Sequence, residues 1–239
     1  MNKEQFIEEL KKLNINLSET QNEQLKQYCD FLLEYNTHTN LTAIKEEEQV
    51  YLKHFYDSLT ITKVINLSSI DSLLDVGSGA GFPGMVIKIV FPDIQLTLLD
   101  SNNKKVEFLN QLAEKLNIKN INIIHGRAEE ICKKYRENFD IVTARAVSNL
   151  SELSELCMPL VKVGGYFIPM KGSNQREVIE GKYAIEVLGG KIEEKIVFNL
   201  PEDGGERTII RAKKVNITPK EYPRRYDKIK NKPLKIRVK

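Results

Sequence analysis

Hydrophobic residues in the first seventy positions recur at spacings of three and four, which is the period of an amphipathic helix. In the second such stretch the apolar positions are Leu25, Tyr28, Leu32 and Tyr35. Ser18 and Gln21 form a capping-box pattern just before it, which predicts where that helix begins. A third helix is predicted over residues 46–64. We therefore expect residues 1–70 to form a helical extension that packs against a larger body.

From residue 72 onwards the pattern changes to short apolar strands that alternate with amphipathic helices. Seven strands are predicted within residues 72–76, 94–100, 120–126, 139–147, 164–172, 191–199 and 208–213. Such alternation is typical of a parallel sheet with helices on both faces. The predicted fold class is therefore α/β, with a mostly parallel seven-stranded sheet in a core of residues 71–214. Residues 215–239 are expected to form a basic C-terminal tail.

The composition is that of a globular protein with a hydrophobic core. Of the 239 residues, 41% are hydrophobic and 29% are charged, and both values are ordinary. No apolar run approaches the roughly 18 residues of a membrane-spanning helix, and the first residues lack a signal-peptide pattern. The cysteines are scattered without a C-x-x-C pair, which argues against a disulfide framework or a zinc site. We expect a cytoplasmic protein with no membrane partner and no metal.

The charge is distributed unevenly along the chain. Residues 211–239 contain twelve Lys or Arg and two Asp or Glu, a net of +10, whereas the remainder has 24 bases and 31 acids, a net of −7. A basic end on an acidic body is typical of a contact with nucleic acid. A solvated tail without a partner would have the same composition, so both readings stay open at this point.

Residues 75–84, DVGSGAGFPG, place four glycines directly after the first predicted strand. Glycines allow a tight turn and a close approach of the backbone to a ligand, and the N-terminus of a following helix attracts anionic groups. In a doubly wound sheet this loop lies at the edge where ligands bind. Read from Gly79, the loop matches G-x-G-x-x-G, which nicotinamide enzymes and S-adenosylmethionine (SAM) enzymes both use. Asp100, about twenty residues further on, suits the ribose hydroxyls of either cofactor.

Three details of this loop favour SAM. Asp75 would repel a pyrophosphate but attract the ammonium group of SAM. A dinucleotide fingerprint has its first glycine directly after the strand, whereas Gly79 lies three residues past Val76. Pro83 has no N–H to offer a phosphate. After the third strand, residues 127–130 offer an acceptor for an adenine amino group. We therefore predict a Rossmann-like SAM-dependent methyltransferase fold, and a nicotinamide-dependent oxidoreductase remains the alternative. The cofactor contacts predicted on these grounds are Asp75, Gly79, Gly81 and Asp100.

The loop after the fourth strand restricts the methyl acceptor. It reads Thr143-Ala-Arg-Ala and lacks the Asn/Asp-Pro-Pro-aromatic motif of amino-group methylation, while Cys157 resembles a packing residue more than a nucleophile. Guanine N7 fits better, because its lone pair is exposed and unprotonated near neutral pH. Its methylation needs alignment and no general base, so we expect no catalytic side chain. We interpret His54 and Asp57, three residues apart, as partners in a helix-face hydrogen bond.

Basic residues at or near the predicted strand ends indicate that the acceptor is RNA. These residues are Arg127, Arg145, Lys171 and Arg207. The tail interleaves tyrosines with Arg224, Arg225 and several lysines, which are residue types that bind phosphates and stack on bases. A non-enzymatic RNA-binding protein of ribosome assembly, with a vestigial cofactor loop, remains a second alternative.

Ordered pieces along nearly the whole chain resemble one family. They are residues 35–44 (YNTHTNLTAI), 54–59 (HFYDSL), 75–84, 98–109 (LLDSNNKKVEFL), 126–130 (GRAEE), 143–147 (TARAV), 170–172 (MKG), 204–210 (GGERTII) and 222–225 (YPRR). Together they resemble the bacterial small-subunit rRNA guanine-N7 methyltransferases called RsmG or GidB.

This resemblance implies transfer of a methyl group from SAM to N7 of a guanine in the decoding-region loop of 16S rRNA, in the small ribosomal subunit. The SAM contacts that it implies are Gly77, Phe82, Ala128, Glu129 and Arg145. The contacts that it implies to RNA or to the active site are Arg127, Lys171 and Arg207, and the basic tail adds Arg224 and Arg225. Asn36, Asn40 and Thr42 match a family stretch without an assigned role, and a buried cap is an equal interpretation of them.

Overall fold

The computed structural model describes residues 1–145, 148–172 and 175–235, with residues 175–180 described by their backbone alone. Parts of two predictions, residues 146–147 of the fourth-strand loop and residues 236–239 of the tail, lie outside the described residues. The chain begins with α1 (Lys3–Lys12) and α2 (Glu19–Asn36). The predicted capping box is present at α2, where Ser18 Oγ accepts from the Gln21 N–H and the Gln21 side chain accepts from the Ser18 N–H.

The predicted third helix is one continuous helical segment with an irregular middle. It consists of α3 (Glu47–Val50), a π-helical turn (Tyr51–Tyr56), α4 (Asp57–Leu59) and a 3₁₀ turn (Thr60–Lys63). Turns of π-helix are rare and occur frequently at functional sites. This one carries His54 and is followed at once by Asp57.

All seven predicted strands are present and form a single sheet. They are β1 (Ser72–Val76), β2 (Gln95–Asp100), β3 (Ile121–His125), β4 (Phe139–Arg145), β5 (Val161–Lys171), β6 (Gly190–Asn199) and β7 (Glu206–Lys214). Their order is β3-β2-β1-β4-β5-β7-β6, and only β7 runs antiparallel to its two neighbours. The predicted fold class, a mostly parallel seven-stranded sheet, is confirmed.

Helices cover both faces of the sheet, as predicted. They are α5 (Gly84–Val90), α6 (Asn103–Lys115), α7 (Ala128–Tyr135), α8 (Leu150–Cys157), α9 (Gln175–Val187) and α10 (Tyr226–Asn231). One hydrophobic core joins α5, α6 and the N-terminal helices to the sheet, and the other joins α7 to α10 to the opposite face. The first seventy residues therefore extend one layer of the fold, because they share its core.

The strand order reverses at β1, since the chain continues to β2 on one side and later returns to β4 on the other. At such a switch point the loops after the two strands diverge and leave a crevice at the carboxyl edge of the sheet. The glycine loop follows β1, Asp100 ends β2 and Arg145 ends β4. The topology therefore brings these three predicted site elements to one edge.

The C-terminal segment up to residue 235 packs against the core. Ile229 is fully buried in the core on the α7–α10 face. The Arg136 guanidinium donates to the carbonyls of Thr218, Pro219 and Tyr222 at 2.7–3.1 Å. Arg224 forms a two-pronged ion pair with Glu155, whose side chain is completely buried. None of the helices in the described parts of the chain is long and apolar enough to cross a membrane.

Candidate active site

The glycine loop is held against the end of β2 by backbone and carboxylate contacts. The N–H groups of Gly77 and Ser78 donate to the Leu99 carbonyl, and the Gly79 N–H donates to Asp100 Oδ2 at 2.8 Å. Gly79 and Gly81 have φ angles of +60° and +98°, a region that L side chains adopt only under strain. At Gly81 a Cβ would also lie 2.6 Å from the Tyr28 hydroxyl oxygen. Glycine is therefore required at this turn for both conformation and space.

A cavity of about 460 Å³ opens beside this loop, within the size range of small-molecule sites. Seven of the nine predicted cofactor contacts line it: Gly77, Gly79, Phe82, Asp100, Ala128, Glu129 and Arg145. Of the predicted RNA contacts, Arg127 lines it as well. Residues from the ends of β1, β2 and β4, from the loop after β3, and from the N-terminal helical region therefore meet around one space.

One end of the cavity, near β2 and α7, fits the nucleoside half of SAM. Asp100 is buried, and its two carboxylate oxygens accept from the Gly79 and Asn102 N–H groups. A carboxylate has about four acceptor positions, so capacity remains for ribose hydroxyls. Burial raises the pKa of Glu129, which lies in the first turn of α7 next to Ala128. We call this end, formed by the glycine loop, Asp100 and residues 126–129, the donor side.

The other end of the cavity, near β4, is organised around two arginines and one carboxylate. Asp57 is buried and accepts from Arg145 Nη1 at 3.1 Å and from Arg207 Nε at 3.0 Å. Arg145 also donates to the Lys53 carbonyl, and its guanidinium carbon lies 5.1 Å from the Phe82 ring centroid. Burial lowers the pKa of Arg145 and the charge of Asp57 opposes that shift. We call this end the acceptor side.

His54 lies between the acceptor-side arginine and the aromatic residues. Its ring stacks on Phe82 at 4.2 Å between centroids, and Phe82 stacks in turn on Tyr28 at 5.4 Å. Burial, and then the charge of Arg145, lower the pKa of His54 to about 3, while the Lys53 carbonyl opposes the shift. The predicted hydrogen bond between His54 and Asp57 was wrong, because Arg145 lies between them and bonds to each at 3.1 Å.

Several predicted site residues lie outside the cavity wall. Asp75 is completely buried beneath the loop, where it accepts from the Gly84 N–H at 2.8 Å, and Gly81 packs on Tyr28. Lys171 donates to the Ser148 carbonyl, and Arg207 donates to Asp57, which also accepts from the cavity-lining Arg145. In the C-terminal segment, Arg224 pairs with Glu155 while the Arg225 side chain is 86% exposed. Arg145, Arg207 and Arg224 are therefore half-buried in ion pairs, whereas Arg225 is exposed.

The cavity also contains residues to which the sequence analysis gave no role at the site. Among them are Thr42, His54, Ser78, Lys105 and Tyr226. The Tyr226 ring lies 5.0 Å from the Arg127 guanidinium carbon, so the C-terminal segment forms part of the wall. Thr42 and His54 fall in two of the stretches that carry the family resemblance, and that was the available signal. The contact between His54 and Arg145 joins residues that are 91 positions apart in the chain.

A matched pair of glycine substitutions separates backbone strain from donor binding. Gly79 lines the cavity and has open space at its Cβ position, while Gly164 has a φ of +91° and no atom within 4 Å of that position. We expect Gly79→Ala and Gly164→Ala each to lower the free energy of unfolding by about 1–2 kcal/mol. Only Gly79→Ala should weaken SAM binding, about tenfold or more, because Gly79 lines the cavity whereas Gly164 is not among its lining residues. Urea unfolding and calorimetric titration measure both quantities, and equal SAM affinities in the two variants would contradict this assignment.

Two solved structures with the same fold are a methyltransferase and a protein in complex with AdoMet. Precorrin-6y C5,15-methyltransferase from Geobacter metallireducens superposes with a TM-score of 0.54 at 18% identity, covering 74% of this chain and 91% of that one. TYW2 from M. jannaschii, solved in complex with AdoMet, gives a TM-score of 0.52 at 13% identity, covering 60% of this chain and 68% of that one. The fold of this chain is therefore Rossmann-like, the fold that these methyltransferase structures share.

The sequence comparisons identify the family within that class. The family model described as GidB, rRNA small subunit methyltransferase G, matches residues 21–210. Proteins named Ribosomal RNA small subunit methyltransferase G are 50% identical in Lachnoclostridium phytofermentans, over 97% of this chain and 95% of that protein, and 49% identical in Staphylococcus aureus, over 94% and 95%. The chain belongs to the rRNA small subunit methyltransferase G family. The predicted family, SAM dependence and enzyme class are confirmed, and the nicotinamide and non-enzymatic alternatives are excluded.

Proposed function

We propose that this protein transfers the methyl group of SAM to N7 of a guanine in the decoding-region loop of 16S rRNA. The relatives' names indicate small-subunit rRNA as the substrate, and the resemblance described above indicates the guanine and its position. The proposed partner is the small ribosomal subunit or its rRNA, and the proposed location is the cytoplasm.

The choice of N7 rests on the hydrogen-bond partners of the two titratable groups at the acceptor side, Asp57 and His54. Asp57 accepts hydrogen bonds from two arginines, and each ring nitrogen of His54 has a hydrogen-bond partner. With a pKa of about 3, His54 is also a weak base near neutral pH. An acceptor that must lose a proton before attack is poorly served by such groups. Guanine N7 has a free lone pair and needs none to be removed.

SAM, when bound, supplies an electrophilic methyl group on a sulfonium. The residues of this chain hold the methyl donor and the acceptor base in position. Gly77, Gly79 and Asp100 line the donor side. On the acceptor side, Phe82 stacks on His54, and His54 accepts from Arg145. Holding two reactants in line can lower a barrier by about 7–11 kcal/mol. Alignment of this kind therefore accounts for catalysis without a general acid or base.

Labelled SAM incubated with small subunits from a strain that lacks this enzyme tests the proposal. We expect one guanine to become labelled, and chain cleavage after borohydride and aniline treatment, followed by reverse transcription, would map it. Protein-free rRNA and subunit assembly intermediates provide parallel samples. Absence of transfer to all three substrates would overturn the proposal, as would label on an amino group or a pyrimidine carbon.

Arg225 in the basic tail is accessible to RNA phosphates, because its side chain is 86% exposed and is paired with the exposed Asp227. We expect Arg225→Ala to weaken RNA binding several-fold and to reduce the slope of log K against log salt by about 1. Its effect on the free energy of unfolding should stay below about 0.5 kcal/mol, as is usual for exposed ion pairs. Lys11→Ala in α1, which removes another exposed ion pair, is the control. An unchanged salt slope would exclude Arg225 from the RNA contact.

A further inference from the structure

The turn after α2 holds Thr42 at the acceptor side of the cavity. Asn36 Oδ1 accepts from the N–H groups of Leu41 and Thr42 at 2.9 and 3.1 Å, and Asn36 Nδ2 donates to the Thr42 carbonyl at 2.9 Å. The Asn36 side chain thus provides hydrogen-bond partners for the backbone groups of this turn. Thr42 is half-buried and lines the cavity beside His54, so the turn presents one hydroxyl group to the ligand space.

The partners of His54 determine its tautomer. Arg145 Nη2 lies 3.1 Å from His54 Nδ1, and a guanidinium has donors but no acceptor. Nδ1 must therefore be the unprotonated nitrogen that accepts. Since the low pKa of His54 leaves the ring neutral near pH 7, the proton is on Nε2. Nε2 lies 2.9 Å from Thr42 Oγ1 and donates to it.

The Thr42 hydroxyl group can consequently make one further hydrogen bond, as a donor. It accepts from His54 Nε2–H and from the Ile44 N–H at 3.1 Å, and a hydroxyl oxygen has two acceptor positions. Both are used. The hydroxyl proton has no acceptor among the described residues. A threonine hydroxyl is ordinarily both donor and acceptor, but the chain from Arg145 through His54 makes this one a donor only.

A donor-only group can distinguish guanine from adenine at the edge that carries N7. On that edge guanine presents two acceptors, N7 and O6, whereas adenine presents N7 and an amino donor. An adenine amino group facing Thr42 Oγ1 would meet an oxygen whose acceptor positions are already filled. Two donors would then oppose each other, which is costly when both are desolvated.

We propose that the Thr42 hydroxyl donates a hydrogen bond to O6 of the guanine whose N7 is methylated, and that it thereby selects guanine over adenine. This inference rests on the proposed function. Thr42 would contact the substrate directly, while His54 and Arg145 act as positioning residues that fix the direction of the hydroxyl proton. Asn36 holds the turn in place.

Paired substitutions of Thr42 and of the target base test this proposal. Thr42→Val keeps the shape and removes the hydroxyl, whereas Thr42→Ser keeps the hydroxyl. The substrates are small subunits reconstituted with rRNA that carries guanine or 2-aminopurine at the target position. 2-Aminopurine retains N7 and the 2-amino group but has no oxygen at C6. We expect Thr42→Val to lower kcat/KM for guanine by about tenfold and to leave kcat/KM for 2-aminopurine unchanged. Thr42→Ser should stay near the wild-type value for both bases.

Two further measurements keep the outcome unambiguous. Calorimetry should give the same SAM affinity for Thr42→Val and wild type, and their thermal unfolding midpoints should agree within a few degrees. An equal loss of kcat/KM on both bases, or a loss of SAM affinity, would overturn the assignment to O6. Failure of the wild-type protein to methylate N7 of any guanine would instead overturn the proposed function, so the two failures are distinguishable.

Discussion

Replacement of Asp57 by alanine is expected to lower the free energy of unfolding by about 3–5 kcal/mol and to reduce methyl transfer at least a hundredfold. Asp57 is buried and neutralises both Arg145 and Arg207. Removal of one partner from a buried ion pair leaves an uncompensated charge, and the cost is of this size. Arg145 would also lose the contact that holds it against His54 and Phe82. Urea unfolding and single-turnover kinetics measure the two effects.

Asp30→Ala provides the matched control for this prediction. Asp30 pairs with Lys26 at 3.8 Å on the exposed surface of α2, where ion pairs contribute about 0–1 kcal/mol. We expect little change in stability or activity from it. An Asp57→Ala protein that unfolds like the control and keeps its activity would show that the two arginines are solvated and do not need the carboxylate.

Replacement of Asp75 by asparagine is expected to change how stability depends on pH. Complete burial raises the pKa of Asp75 from 3.8 to about 7, although the Gly84 N–H and Arg145 oppose the shift. Its Oδ1 atom is buried without a hydrogen-bond partner among the described residues. Between pH 4 and pH 7 the unfolded chain therefore loses this proton while the folded protein keeps it, so wild-type stability falls as the pH rises through that window.

The Asp75→Asn variant lacks this loss, so its stability relative to wild type should increase from pH 4 to pH 7 and then level off. The increase should reach up to about 4 kcal/mol, at 1.36 kcal/mol for each unit of pKa difference. Urea unfolding of the SAM-free proteins at several pH values between 4 and 9 measures it. A difference that is the same at all these pH values would mean that Asp75 titrates in the folded protein as it does in the unfolded chain.

The strands and the donor side could be predicted because their signals are local. Each strand of the sheet is a short apolar run, and the glycine loop, Asp100 and Glu129 each follow such a run within a few residues. Chain topology then brings the strand ends together. These features depend on periodicity and on sheet edges, which short stretches of sequence encode.

The acceptor side could not be predicted in this way, because its contacts join distant residues. Arg145 lies 88 and 91 residues from Asp57 and His54, and Arg207 lies 150 residues from Asp57. Arg224 was counted as part of a basic tail, yet Glu155, 69 residues earlier, is buried beneath it. Net charge indicates that a segment is basic but does not indicate which of its charges are neutralised inside the fold.

The opposite walls of the cavity come from different parts of the chain. The wall formed by Thr42 and His54 belongs to the N-terminal helical region, whereas Asp100 and Glu129 belong to the α/β core. If Thr42 selects the base as proposed, substitutions in the first seventy residues would change which base is accepted and leave the proposed SAM contacts in the α/β core unchanged. In such a scaffold, substitutions around Thr42 and His54 would produce enzymes with new target bases that still bind the same methyl donor.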